Sequence, residues 1–254
     1  NLIDQTYEYY KKSINKKKLV TSFRNKDNIA KQVVDIFNDK FSKAKSIYFH
    51  KEIKQLISFL NLGNKICYFT HSKLSFKKPY HETNWYPHQD NAYKKTTDQR
   101  NGFAIMICLE NMHKKNGCIQ LFPGSHKLKT LLHNKILENK NSGEIQLEVS
   151  KLPKIKPISI VAKKGDVVVF HNDMIHQSKS SMSNSYRFAL ISEIELNNSL
   201  KLDDYGRIPF SLNPKYNLFN TLKIYFLYLI NIKNKWLFFK KLFPKASGKL
   251  RKIF

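Results

Sequence analysis

The sequence predicts a β-barrel or sandwich flanked by helices, on three observations. Short apolar runs recur through the middle of the chain, each closed by a Gly, Pro, Asn or Ser turn. The N-terminal third instead carries apolar residues at three-to-four spacing. The last forty or so residues form a third texture, basic and aromatic, with no acidic residue after Asp204. Short strands behind a helical flank point to a closed or layered β core with helices packed on it.

From about Asn28 to Leu62 the spacing predicts helix, through Val33, Val34, Ile36, Phe37 and Phe41 and then Ile53, Leu56, Ile57, Phe59 and Leu60. The pattern changes after Gly63, and Ile66 to Phe76 alternates as a strand does. Further strands are predicted at Phe103 to Leu109, Cys118 to Phe122, Ile158 to Ala162, Asp166 to Phe170 and Tyr186 to Ile194. The organisation expected is a helical flank over 1–62, a catalytic β core over 63–200 and a basic, aromatic helical extension over 201–254. In that extension Asn231, Lys233 and Lys235 break the apolar run well short of the roughly 20 residues a bilayer span needs. It reads either as a helix docked on the barrel or as a peripheral contact with a membrane surface or polyanion.

The chain has 254 residues, 41% of them hydrophobic, enough for a sizeable core and too apolar for wholesale disorder. Its formal net charge is +26, from 45 Lys and Arg against 19 Asp and Glu. Such an excess attracts anions, yet the lysines are scattered and no helix-turn-helix or zinc-finger spacing accompanies them. A specific nucleic-acid partner is therefore not expected. A small-molecule substrate is, with anionic character weakly favoured. Cys67, Cys108 and Cys118 form no CxxC pair, and the first 18 residues hold no apolar signal core, so a cytoplasmic, reducing setting is expected, with the tail as the one candidate membrane contact.

The chemistry starts at His88 and Asp90. On an extended segment residues i and i+2 point the same way, so one imidazole and one carboxylate converge without special backbone geometry. A further His from a distant strand would complete two His and one carboxylate, the set that leaves Fe(II) open positions for cosubstrate and O2. The turn Lys163-Lys164-Gly165 leads into Asp166 to Phe170 and then to His171 and His176. Arg187 follows His176 by eleven residues on the returning strand. An inward-pointing Arg is costly unless an anion pairs with it, and the far carboxylate of a dicarboxylate is such an anion.

Three segments carry a resemblance: Trp85 to Asp90 (WYPHQD), Asn116 to Lys127 (NGCIQLFPGSHK), and Gly165 to His171 continuing through His176-Gln177-Ser178 to Arg187. Together they resemble the phytanoyl-CoA dioxygenase family and its ectoine-hydroxylase-like relatives, over about residues 60 to 195. The resemblance implies a double-stranded β-helix (jelly-roll, cupin-like) core and an Fe(II)- and 2-oxoglutarate-dependent dioxygenase. Such an enzyme uses O2 to hydroxylate a small-molecule or lipid- or sugar-type substrate and releases succinate and CO2. It further implies His88, Asp90 and His176 as metal ligands, with Arg187 and Ser178 holding the distal carboxylate of 2-oxoglutarate. Ser75 stands where relatives place an Asn near the cosubstrate, and Met106 where the human-type enzyme has an aromatic residue. Related iron halogenases have a small residue in place of the carboxylate, so Asp90 favours oxygen transfer.

The remaining histidines read as supporting groups: His171 behind the metal ligands or in packing, His126 holding the Pro-Gly-Ser-His turn. Of the rest, His71 and His81 are those expected nearest a pocket, and Trp85, Tyr86 and Tyr93 are candidates for its entrance. Two competing readings keep the barrel. One is a catalytically silent binding module tethered by its basic tail, and the other a cupin-type metal enzyme that uses no 2-oxoglutarate. Retention of His88, Asp90, His176 and Arg187 together weighs against the first, and Arg187 against the second.

Overall fold

The computed structural model describes residues 1–14, 21–24, 30–34, 36–37, 43–60, 66–94, 102–136, 144–197 and 208–210. A larger antiparallel sheet runs β1 (Thr21–Arg24), β2 (Ala30–Val34), β3 (Ile66–Lys77), β12 (Arg187–Asn197), β5 (Gly102–Cys108), β10 (Val167–His171), with β13 (Ile208–Phe210) also pairing with β3. A smaller sheet runs β4 (Trp85–His88), β11 (His176–Ser178), β6 (Ile119–Leu121), β9 (Ile158–Ser159). A two-stranded ribbon joins β7 (His133–Lys135) to β8 (Ile145–Leu147). Two facing sheets with helices on one outer side make up the double-stranded β-helix expected.

The interior strand β5 is buried at every residue, and burial of both faces of its pleat explains why its sequence is a continuous apolar run. Ile105 and Ile107 join Leu74, Phe76, Phe188 and Leu190 on the outer face. That face is covered by α1 (Leu2–Ile14), α2 (Ala44–Tyr48) and α3 (Lys51–Leu60), whose buried contributions include Tyr10, Tyr48 and Ile57. Ala104, Met106 and Cys108 point the other way, into the space between the sheets, with Ile119, Phe170 and Ala189. Each fully buried side chain of Leu or Phe size contributes about 1.5–3 kcal/mol, so the outer core anchors the sheet while small inner residues leave room between the sheets.

The helix expected over Asn28 to Leu62 is corrected in its first part. Ala30 to Val34 is strand β2, with Val33 opposite Leu74 and buried at 2% exposure. The β-branched pair Val33-Val34 fits a half-buried pleat better than a helix, and an open edge of β3 was available to pair it. Helix is present from Ala44 to Tyr48 and from Lys51 to Leu60, where Ile53 and Ile57 sit one turn apart and buried. The extension proposed for 201–254 contains a strand, β13, at 208–210; residues 211–254 lie outside the described residues. No helix among the described residues is long and apolar enough to cross a membrane.

Candidate metal and cosubstrate site

His88 ends β4 and His176 begins β11, directly opposite each other in an antiparallel pair, and their ring centroids stand 4.2 Å apart. Asp90 lies two residues past His88 on a 3-10 turn, with Oδ2 3.9 Å from His176 Nε2. One ligand atom from each of the three lies within 4.8 Å of the others, all three buried. The tautomers are fixed from behind. His88 Nδ1 donates to the Tyr86 carbonyl at 2.7 Å, and His176 Nδ1 to the Met174 carbonyl at 2.9 Å. Both Nε2 lone pairs are thereby left for a metal. Burial and the neighbouring His176 hold His88 well below the usual imidazole range, keeping it neutral and able to ligate. Asp90 Oδ2 is buried with no hydrogen-bond partner among the described residues, a costly state that a bound cation would relieve. Two imidazoles that turn Nε2 to one point, beside a carboxylate oxygen with no partner among the described residues, fit a divalent iron-type ion.

The triad lines a cavity, about 500 Å3 with its solvent-open mouth included, that also receives Arg187, Ser178 and Ser75, so all six residues singled out in the sequence meet in one place. Arg187 is 3% exposed. Its Nη2 donates to the Gly117 carbonyl at 3.2 Å, and its Nε has no partner among the described residues. Burial lowers its pKa to about 10 even with Glu110 nearby opposing the shift. An under-satisfied buried guanidinium in a cavity is the condition expected of an anion site. Gly117 owes its place to its missing side chain. Its φ is +71°, and a Cβ there would fall 2.3 Å from the Lys179 carbonyl oxygen.

Several supporting residues escaped sequence reading. Gln89, between the two ligands, is fully buried. Its Nε2 donates to the Lys129 and Asp173 carbonyls at 2.7 Å each, its Oε1 accepts from Leu131 N at 2.8 Å, and its own N–H donates to His133 Nε2 at 3.1 Å. Asn91 Nδ2 donates to Asp173 Oδ1 at 2.9 Å. These bonds tie the His88–Asp90 segment to the strand connection that delivers His176. Gln89→Ala is expected to cost about 3 kcal/mol, since it strands several buried partners, and to weaken metal binding by roughly 10–100-fold. Urea unfolding and a metal titration check this; a loss of stability with unaltered metal affinity would contradict the clamp.

The histidine expectations are partly corrected. The Pro-Gly-Ser-His turn is held by Ser125, whose Oγ accepts from Ile175 N at 2.8 Å, whereas His126 Nδ1 has no partner among the described residues. A serine one residue upstream reaches the backbone because its side chain is shorter and buried. His171 Nδ1 accepts from Asp173 N at 3.0 Å and stands beside His126, ring centroids 5.7 Å apart. His71 and His81 do not line the cavity: both are exposed, and His81 folds back on the Pro79 carbonyl. Trp85 and Met106 do line it, while Tyr86 is not among the lining residues and accepts from His88 through its carbonyl.

Behind Arg187, Glu110 accepts from Phe188 N at 2.8 Å. Burial pushes its carboxyl up from 4.5 to about 7, against the pull of that N–H and of Arg187. The unfolded carboxyl loses its proton near 4.5 and the folded one near 7, so this group costs stability as pH rises through that window. Glu110→Gln is therefore expected to raise Tm more at pH 8 than at pH 5. Equal shifts at both pH values would refute the assignment.

The family model for phytanoyl-CoA dioxygenase (PhyH) matches residues 4–189, nearly three quarters of the chain. The chain belongs to the phytanoyl-CoA dioxygenase family. It is 32% identical over 115 residues to phytanoyl-CoA dioxygenase 1 of Oryza sativa subsp. japonica, covering 45% of this chain and 40% of that protein. To the phytanoyl-CoA dioxygenase of Arabidopsis thaliana it is 28% identical over 144 residues, 55% of this chain and 50% of that one. The chain thus spans half or less of the length of these curated relatives. Its fold is shared with EctD from S. alaskensis (TM-score 0.59, 14% identity, 79% and 71% of the two chains covered). It is shared equally with EvdO2 from Micromonospora carbonacea var. aurantiaca complexed with 2-oxoglutarate (TM-score 0.59, 15% identity, 77% and 83% covered).

Proposed function

We propose that this phytanoyl-CoA dioxygenase family member is an Fe(II)- and 2-oxoglutarate-dependent oxygenase that hydroxylates a small organic substrate. The observation that carries the reading is Arg187, a buried guanidinium whose Nε has no partner among the described residues, in the same cavity as a buried His-Asp-His triad. A metal enzyme without a dicarboxylate cosubstrate has no use for that group, and a silent binding module has no use for the triad.

In this reading His88 and His176 present Nε2, and Asp90 presents Oδ2, to Fe(II). The chemistry Fe(II) supplies when bound is activation of O2, coupled to oxidative decarboxylation of 2-oxoglutarate to succinate and CO2. The protein's own part is orientation and exclusion of water. The Tyr86 and Met174 carbonyls hold the two imidazoles in the ligating tautomer. Arg187 offers the cosubstrate's distal carboxylate a two-pronged grip, with Ser178 on the smaller sheet and Ser75 on the adjacent strand β3 also lining the cavity. Met106, Ile119 and Phe170 keep the cavity water-poor, which strengthens each polar contact inside it. Turnover under 18O2 tests the activity: one labelled oxygen should enter succinate in proportion to added Fe(II). Succinate free of label would rule the reading out.

A further inference from the structure

The lumen face of the larger sheet carries charges that the cosubstrate site leaves unused. Arg187, Ala189, Ile191, Glu193 and Glu195 alternate onto one face of β12, while Lys73 and Lys77 of β3 stand opposite Ile191 and Arg187 respectively. Lys73, paired with Ile191, reaches Asp90 of the triad with its ammonium, and Ile191 lines the same cavity as the triad. Arg187 is four residues to one side, about 13 Å along the strand. Glu193 and Glu195 lie on the other side, away from the cosubstrate grip.

There the side chains form a ladder of alternating sign. Lys73 Nζ stands 3.6 Å from Asp90 Oδ1 and 3.2 Å from Glu193 Oε1. Lys94 Nζ stands 3.7 Å from Glu193 Oε2 and 3.0 Å from Glu195 Oε1. Glu193 and Glu195 are 4% and 3% exposed, and the Lys94 side chain 3%. The ladder reaches solvent at His71, whose exposed ring sits 3.4 Å from Glu193. Lys73 itself lines the cavity. The cavity's apolar lining on β12 therefore stops at Ile191, and the next step away from Arg187 is ionic.

From this wall we infer that the substrate is hydrophilic on the side that enters past the metal, and that the ladder excludes a long acyl chain. The inference rests on the oxygenase reading and narrows its substrate. A methylene gains about 0.8 kcal/mol on leaving water for an apolar wall. Against buried ions it gains nothing of the kind, because the ions lose their remaining solvation and the chain offers no hydrogen bond in return. Hydroxyl or carboxyl groups can bond to Lys73, the ladder's cation in the cavity lining, and a site that presents such a group rejects analogues that lack a partner for it.

The test uses the two tryptophans, Trp85 in the cavity lining and Trp236. In the full chain carrying Trp236→Phe, Trp85 fluorescence reports a stearic acid bearing a nitroxide near its methyl end. The protein is loaded anaerobically with Fe(II) and 2-oxoglutarate, and the optical band of that complex is read separately. Loss of the band would count against the oxygenase reading, and quenching against or for the ladder, so the two failures are distinct. The result expected is no saturable quenching in the parent and binding at least about tenfold tighter in Lys73→Met/Glu193→Leu. That double variant removes the two charges as a pair, which buried pairs tolerate better than single deletions. If it fails to fold, the outer pair Lys94→Met/Glu195→Leu makes the same comparison. Saturable quenching in the parent would overturn the inference. So would its absence in both parent and folded variant, because charge would then not be what bars the chain.

Discussion

Arg187→Met is expected to make the protein more stable while nearly abolishing its hold on 2-oxoglutarate. The two effects have one cause. Arg187 is buried with one side-chain hydrogen bond among the described residues, to the Gly117 carbonyl, and with burial pressing its pKa down to about 10. Replacing such a charge with an apolar side chain of similar length is often neutral or stabilising by 1–4 kcal/mol, roughly, in the ligand-free protein. When the cosubstrate's carboxylate is present the sign reverses. Losing one partner of a buried charge pair costs about 3 kcal/mol, or roughly 150-fold in affinity. Thermal unfolding without ligand and calorimetric titration with 2-oxoglutarate read the two halves independently. A variant that is both less stable and unimpaired in binding would place Arg187 among the structural residues.

His176→Ala is expected to remove metal binding while leaving the sheets intact. The imidazole is a direct ligand in this account, so its loss should exceed the roughly 100-fold penalty for removing a mere supporting partner. Its ring packs against His88 and against Phe170, 4.9 Å centroid to centroid, so some stability is lost as well. His171→Ala is the informative companion. That ring stands beside His126, outside the triad, and its replacement should leave metal affinity within about twofold. Mn(II) or Fe(II) should raise the Tm of the parent and of His171→Ala, and not that of His176→Ala. A metal-induced rise that vanishes in His171→Ala instead would mean that the wrong histidine has been assigned.

Much of the site was legible because its signals are local. His88 and Asp90 lie two residues apart on an extended run, and the Val167 to Phe170 strand leads straight to the turn before His176. Arg187 was legible through its pairing strand, since a guanidinium at the start of a buried apolar strand needs an anion. Strand β5 was legible because burial on both faces leaves no polar residue to interrupt it. The misreading at Val33 has the opposite character. Its spacing fits helix and strand alike, and an unpaired edge of β3, far away in sequence, decided between them. Gln89 was invisible because its four partners come from two distant stretches of chain, Lys129 to His133 and Asp173.

The lysines show the same limit more sharply. With 45 basic residues spread along the chain, Lys31, Lys73 and Lys77 look like any solvated lysine. Lys31 is instead 2% exposed, bonded to Glu144 at 2.6 Å and set 4.3 Å over the Trp85 ring. Lys77 is fully buried and donates to the Thr83 carbonyl, its ammonium held well below the usual lysine range by burial, Arg187 and Lys31. Composition counts charges and does not say which ones lie between the sheets.

The most direct test of the central claim is an anaerobic optical titration of the purified chain with Fe(II) and then 2-oxoglutarate. A metal-to-ligand charge-transfer band should appear only when both are present, saturate at one equivalent of each, and be lost in His176→Ala. In Arg187→Met it should require far more 2-oxoglutarate. A parent protein that binds Fe(II) at the triad and shows no band with excess 2-oxoglutarate would contradict the account.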